Sequence, residues 1–228
     1  MYVSNYTGLI LTQLISILKG SPVTNTMLEV ATSSNLWVNL FIMVLCAPVA
    51  EELIFRKLLI DRLAQYGEGV AVLFSGLMFG LFHGNLNQFV YAFVLGLCFG
   101  FIYVKTGNIR YTIGLHMLVN FLGSVLGVAI LKWLGDDFLS IASDPAGMMS
   151  YMTGNFGKLI VYFIYIFLLL GVAIAGIILF IVNLKKIRFL PGMNTLPKGK
   201  RFSTTVLNVG MALYMIVWIV IIIVQLFQ

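Results

Sequence analysis

Charge is what this sequence has least of. Its 14 Lys and Arg and 8 Asp and Glu make up 10% of 228 residues, whereas a soluble domain carries about 25%. A water-facing surface for a chain of this mass is therefore excluded, and burial in a bilayer is the remaining option. Cysteine is nearly absent. Cys46 and Cys98 lie inside apolar runs, too few for a disulfide scaffold or a thiolate metal site, and both read as small hydrophobes. Met1–Gly20 has no positive n-region before its apolar stretch, so no secretory signal peptide is expected. No polar block is long enough to fold outside the membrane, which makes residues 1–228 a single membrane domain.

What the chain has instead is 61% hydrophobic residues and a mean hydropathy of +1.03. The expected fold is all-α, a polytopic transmembrane bundle of six spans plus one undecided N-terminal segment. Leu36–Ala50 runs on into the charged Glu51–Arg62 as one long helix. Gly69–Val104 carries no charge, and the polar break at His83–Gln88 splits it into two helices. Tyr111–Leu131, Leu159–Leu184 and Phe202–Gln228 complete the set, the last two longer than the ~20 residues a crossing needs. Leu9–Leu18 is short and carries Thr12, Gln13 and Ser16; it fits an interfacial or a tilted segment.

The net charge of +6 reads as loop chemistry rather than nucleic-acid binding. Lys185, Lys186, Arg188, Lys198, Lys200 and Arg201 share one connection, which the positive-inside rule places in the cytoplasm. Alternation then puts Arg56, Lys57, Arg62, Lys105 and Arg110 inside, and the His83–Gln88 break and Asp136, Asp137 and Asp144 outside. Multi-pass insertion in the plasma (cytoplasmic) membrane is expected. Three Gly-xxx-Gly pairs, Gly76/Gly80, Gly96/Gly100 and Gly123/Gly127, predict close helix approach on three successive spans.

Polar and ionisable residues inside a bilayer are costly and mark function by default. Here they are Glu51, Glu52 and Arg56 on one helix, His83 on the next, and His116 with Asn120 on a third. Their depths fall within one broad band. Glu51 lies about 16 Å along a helix from Arg62, His83 roughly 21 Å from Gly69, and His116 and Asn120 about 9 and 15 Å from Arg110. Glu52 and Arg56 stand at i,i+4, the favoured order for an ion pair, and Glu51 points ~100° away from that partner. His116 and Asn120 share a face, as do Phe79 and His83. Pro48 removes a helical hydrogen bond one turn before Glu51.

These residues carry a family resemblance. Glu51-Glu-Leu-Ile-Phe-Arg56 resembles the EExxxR motif, Phe79-Gly-Leu-Phe-His83 the FxxxH motif and His116-Met-Leu-Val-Asn120 the HxxxN motif of the CAAX protease and bacteriocin-processing (CPBP, Abi) family of intramembrane peptidases. The likeness, CAAX prenyl protease type II in kind, covers residues 36–131 as a catalytic core and implies peptide-bond hydrolysis inside the membrane. By motif position Glu51 activates water with His83, while His116 and Asn120 stabilise the oxyanion. Glu52, Arg56 and Phe79 support them. The implied partner is a peptide or protein substrate in the bilayer, such as a CAAX terminus, a bacteriocin leader or a pheromone.

The plain readings stand beside these. Glu52–Arg56 is by itself a structural pair, a lone membrane histidine is commonly hydrogen-bonded to a neighbouring helix, and Asn120 alone is helix–helix glue. Asn85, Asn87 and Gln88 read as a solvated loop. A proton-coupled transporter would use the same ionisable groups, but no internal repeat is visible in the sequence. A non-catalytic family member serving as an immunity protein or membrane partner keeps the motifs without the reaction. Zinc is the alternative cofactor, since two His and one Glu plus water form a known set. A metal-free site is favoured, because zinc would take Glu51 as a ligand and leave the water without its base.

Overall fold

The computed structural model describes residues 2–135, 138–194 and 196–227; Asp136 and Asp137 of the expected outer loop lie outside them. Among the described residues every regular element is helical. The order is α1 Tyr2–Lys19, α2 Thr26–Ser33, α3 Leu36–Tyr66, α4 Glu68–Phe82, α5 Leu86–Thr106, α6 Ile109–Leu134, α7 Phe138–Ser143, α8 Pro145–Lys186, α9 Arg201–Val206 and α10 Val209–Phe227. Five of these, α3, α5, α6, α8 and α10, are long and apolar enough to cross a membrane. The expected all-α multi-pass fold is therefore present, with one correction of detail. The undecided first stretch forms α1, which is not among the five. The sixth expected span, α4, has only 15 residues, about 22 Å of helix against a hydrocarbon core of about 30 Å. α4 follows the charged Arg62–Glu68 turn and ends at Phe82, with His83 as its cap.

The described residues fall into two compact units. The first comprises Met1–Thr26, Pro48–Leu115 and Ile187–Gln228, the second Met27–Ala47 and His116–Lys186.

In the first unit the α4–α5 hairpin is the centre, and glycine makes it. A Cβ built on Gly96 would lie 2.9 Å from the Gly76 Cα, and one on Gly76 would lie 2.8 Å from Leu97 Cδ2. Gly80 faces Phe89 and Phe93 as closely, at 3.0–3.2 Å. Two of the three glycine pairs thus do what their spacing predicts. α10 lies on α4, with Tyr214 Oη donating to the Met78 carbonyl at 2.8 Å and Trp218 beside Phe82. At the other end of the hairpin Glu68 joins Lys105 and accepts the Leu190 N–H at 2.8 Å, while Asn194 N–H donates to the Gln65 carbonyl at 2.9 Å. Three connections expected on one side of the membrane meet there.

The second unit has a different basis. Asn39, fully buried, donates through Nδ2 to the Ala31 carbonyl at 2.7 Å and to the Ser124 carbonyl at 3.1 Å. Tyr165 Oη donates to the Leu122 carbonyl at 2.9 Å, and Leu134, Phe138 and Leu159 form an apolar cluster. A Cβ on Gly123 would meet nothing within 4 Å, whereas one on Gly127 would lie 3.3 Å from Tyr165 Oη, so only one member of the third glycine pair meets another helix. Gly96→Val is accordingly expected to lower the melting temperature in detergent by the equivalent of about 1–3 kcal/mol through overpacking. Gly123→Ala should leave it unchanged or slightly raised, as glycine is a poor helix former. Equal melting of the two variants would contradict this packing.

Candidate active site

The helix that carries the first motif is not uniform. α3 is of π type over Asn39–Cys46 and again over Leu53–Ile60, with an α-helical stretch Ala47–Glu52 between. Pro48 has no N–H and its ring crowds the carbonyl one turn back, so a wider turn before it relieves the clash. Glu51 and Glu52 close the α-helical stretch. α6 changes in the same way at Asn120, π from Phe121 to Gly127. Hydropathy carries no trace of these register shifts.

Glu52 and Arg56 form a wholly buried pair. Arg56 Nε lies 3.0 Å from Glu52 Oε2 with both side chains fully buried. The guanidinium also lies over the Phe79 ring, 4.7 Å from its centroid, and 5.7 Å from that of Phe99. Arg56 Nη1 donates to Ser75 Oγ at 3.4 Å, and Ser75 donates onward to the Phe55 carbonyl at 2.7 Å. The pair expected from spacing is thus a packed structural unit. Ser75 and Phe99 were missed, because a lone Ser and a Phe in apolar runs give no signal before the helices are paired. Glu51, one residue earlier, is only half-buried.

His83 caps the C-terminus of α4. Its ring stands edge-on to Phe79 at 4.9 Å, as the shared face predicts, and its Nδ1 is 2.8 Å from the Phe79 carbonyl. A carbonyl only accepts, so Nδ1 carries the hydrogen and the neutral ring presents Nε2 as an acceptor. That is the tautomer a water-orienting or proton-accepting histidine needs.

The break after His83 is closed by its own hydrogen bonds. Gly84, at φ +64°, donates its N–H to the Leu81 carbonyl at 2.9 Å. Asn85 donates through Nδ2 to the His83 carbonyl at 2.9 Å and accepts the Gln88 N–H on Oδ1 at 2.9 Å, capping α5. Asn87 is buried and lines a cavity of about 350 Å³ with Thr12, Gln13 and Ser16 of α1.

In the second unit His116 is buried and Asn120 half-buried on one face of α6. Asn120 Nδ2 donates to the Met43 carbonyl at 2.8 Å, which leaves the second hydrogen of that amide for another acceptor. Glu51, Glu52, Arg56, Phe79 and His83 belong together in the first unit; His116 and Asn120 belong to the second.

Residues 33–122 match the model of the family described as Type II CAAX prenyl endopeptidase Rce1-like. This stretch is similar to that family. All three motifs fall within it, so the resemblance read from them holds. Among curated proteins, "Putative membrane peptidase YdiL" of Bacillus subtilis (strain 168) is 32% identical over 74 residues, 32% of this chain and 30% of that protein. Membrane-embedded CAAX protease MroQ of Staphylococcus aureus (strain USA300) is 26% identical over 152 residues, 64% of this chain and 59% of that one. The aligned part of this chain thus spans about a third and about three-fifths of the length of these relatives. No solved structure gives a significant match.

Proposed function

We propose that this protein is an intramembrane endopeptidase that hydrolyses a peptide bond of a membrane-associated peptide or protein, with residues 36–131 as its catalytic core. The observation that carries the proposal is the Rce1-like match over 33–122, which includes every polar motif residue at bilayer depth. Glu51 is the base that takes the proton of the attacking water. His83, its Nδ1–H held by Phe79, orients that water through Nε2. His116 and Asn120 take the oxyanion role by motif position, and the unspent Asn120 hydrogen is chemically suited to it. Glu52 with Arg56 supports the helix that presents Glu51. The orientation read from the basic loops places the Lys185–Arg201 connection in the cytoplasm.

The reaction is proposed to need no metal. Asparagine is a poor zinc ligand, and HExxH, which supplies two ligands and a base on one helix, is absent from the sequence. In the first unit no third His, Cys, Asp or Glu among the described residues joins Glu51 and His83 in a metal-sized cluster. Comparative peptidomics of membranes carrying wild type or Glu51→Ala tests the proposal, with each sample also treated with 1,10-phenanthroline. Cleavage products should vanish in the variant and persist under chelation. Identical peptidomes would remove the peptidase. One zinc per purified chain, with activity lost on its removal, would replace the mechanism with a metallopeptidase one.

A further inference from the structure

Nothing in the sequence of α10 marks it as part of a site. It carries none of the three motifs and lies beyond the family-matched residues 33–122. Yet Tyr214, Trp218, Ile221 and Gln225 recur at i, i+4, i+7 and i+11, one face of a helix, and that face meets the end of α4. Tyr214 Oη donates to the Met78 carbonyl at 2.8 Å. The Trp218 ring stands edge-on to Phe82, centroids 5.2 Å apart at 62°. A Cβ built on Gly84 would lie 3.1 Å from Ile221 Cγ2 and 3.3 Å from Trp218 Cζ3, so the turn after His83 passes against both side chains. Gln225 Nε2 donates to the Thr24 carbonyl at 3.0 Å and Lys19 Nζ to the Leu226 carbonyl at 2.8 Å, which secures the C-terminal end of α10.

The residues that α10 touches frame the His83 ring. The Phe79 carbonyl, 2.8 Å from Nδ1, decides its tautomer. Met78 stands one residue before Phe79, and Phe82 and Gly84 flank His83 on either side. The carbonyls of Gly80 and Leu81 accept the main-chain N–H groups of His83 and Gly84 at 3.3 and 2.9 Å. A last helical turn has few bonds of its own and frays unless something holds it. We propose that Tyr214 and Trp218 are positioning residues for His83. By holding Met78, Phe82 and Gly84 they keep the last turn of α4 closed, and with it the Phe79 carbonyl that fixes the Nδ1–H form. The inference rests on the reading of His83 as the residue that orients the attacking water. When the turn opens, the ring hydrogen is free to move to Nε2, and the nitrogen offered to water becomes a donor instead of an acceptor.

The chain has two histidines, His83 and His116, so nitrogen-15 histidine gives two imidazoles and His116→Gln tells them apart. Solid-state NMR of the full chain in liposomes, at about pH 8.5 and so above the ordinary histidine pKa of about 6.5, reads the tautomer of each ring. Wild type should show His83 with its hydrogen on Nδ1 alone, and Trp218→Ala and Tyr214→Phe should each show both forms. With a farnesylated fluorogenic CAAX-type peptide as probe, kcat should fall about 10–100-fold in Trp218→Ala, less than the full worth of an acid–base group. In Tyr214→Phe it should fall several-fold, the worth of one neutral hydrogen bond. KM should not move in either. Trp218→Phe, which keeps an aromatic edge on Phe82, should retain most of kcat. Tyr214→Phe removes a single oxygen, so it decides the matter if Trp218→Ala does not fold. A His83 ring that stays wholly Nδ1–H in the variants, or a rise in KM with kcat kept, would overturn the proposal whatever the melting temperatures. A wild type that cleaves no probe while the tautomer shifts in the variants would remove the peptidase reading and leave the hold of α10 on His83 standing.

Discussion

Glu51→Gln should reduce turnover of a membrane peptide by purified protein on the order of 10²–10⁴-fold, the range general-base catalysis contributes, while the variant inserts and melts like wild type. The substitution keeps the shape of the side chain and removes only its capacity to take a proton. Stability should survive because Glu51 is half-buried and the buried ion pair belongs to its neighbour. His83→Ala and His116→Ala should be equally inactive. Asn120→Ala should lose about 10²–10³-fold, the usual effect of removing one oxyanion donor. Rates of the four purified variants on one substrate, beside their melting curves, check the set. Full activity in Glu51→Gln would end the assignment.

Arg56→Met should do the reverse, lowering stability before chemistry is reached. It leaves Glu52 fully buried with its cationic partner gone, a change that costs about 3–5 kcal/mol when one member of a buried pair is removed. Ser75 loses its Arg56 donor, and Phe79 and Phe99 lose the cation over their rings. The double variant Glu52→Gln/Arg56→Met should recover a large part of the loss, since no buried charge then remains. Thermal unfolding in a single detergent gives the comparison. Should Arg56→Met melt with wild type, the pair would not be the structural centre described above.

The contrast between Glu51 and Glu52 shows how far the sequence reaches. Adjacent residues with the same side chain differ by about 100° around a helix, and the i,i+4 arginine picks out which is paired. That much follows from spacing, as do the apolar spans, the shared face of Phe79 and His83 and the two glycine pairs that meet at Gly76 and Gly96. These are local or periodic properties, and helix geometry fixes them without reference to partners.

What only the tertiary structure decided concerns contacts between helices and departures from regular geometry. Gly123 has the spacing of a crossing and no neighbour, because spacing says that an approach is possible and not that another helix arrives. Hydropathy gave α4 a full crossing, but its helix has only 15 residues and ends at Phe82, and Asn85 caps the helix that follows by accepting the Gln88 N–H. The π segments of α3 and α6, the seat of Arg56 against Ser75 and Phe99, and the bond from Tyr214 to Met78 rest on pairings across many residues. A sequence states which groups need partners inside a bilayer; the packing of the helices determines which partners they get.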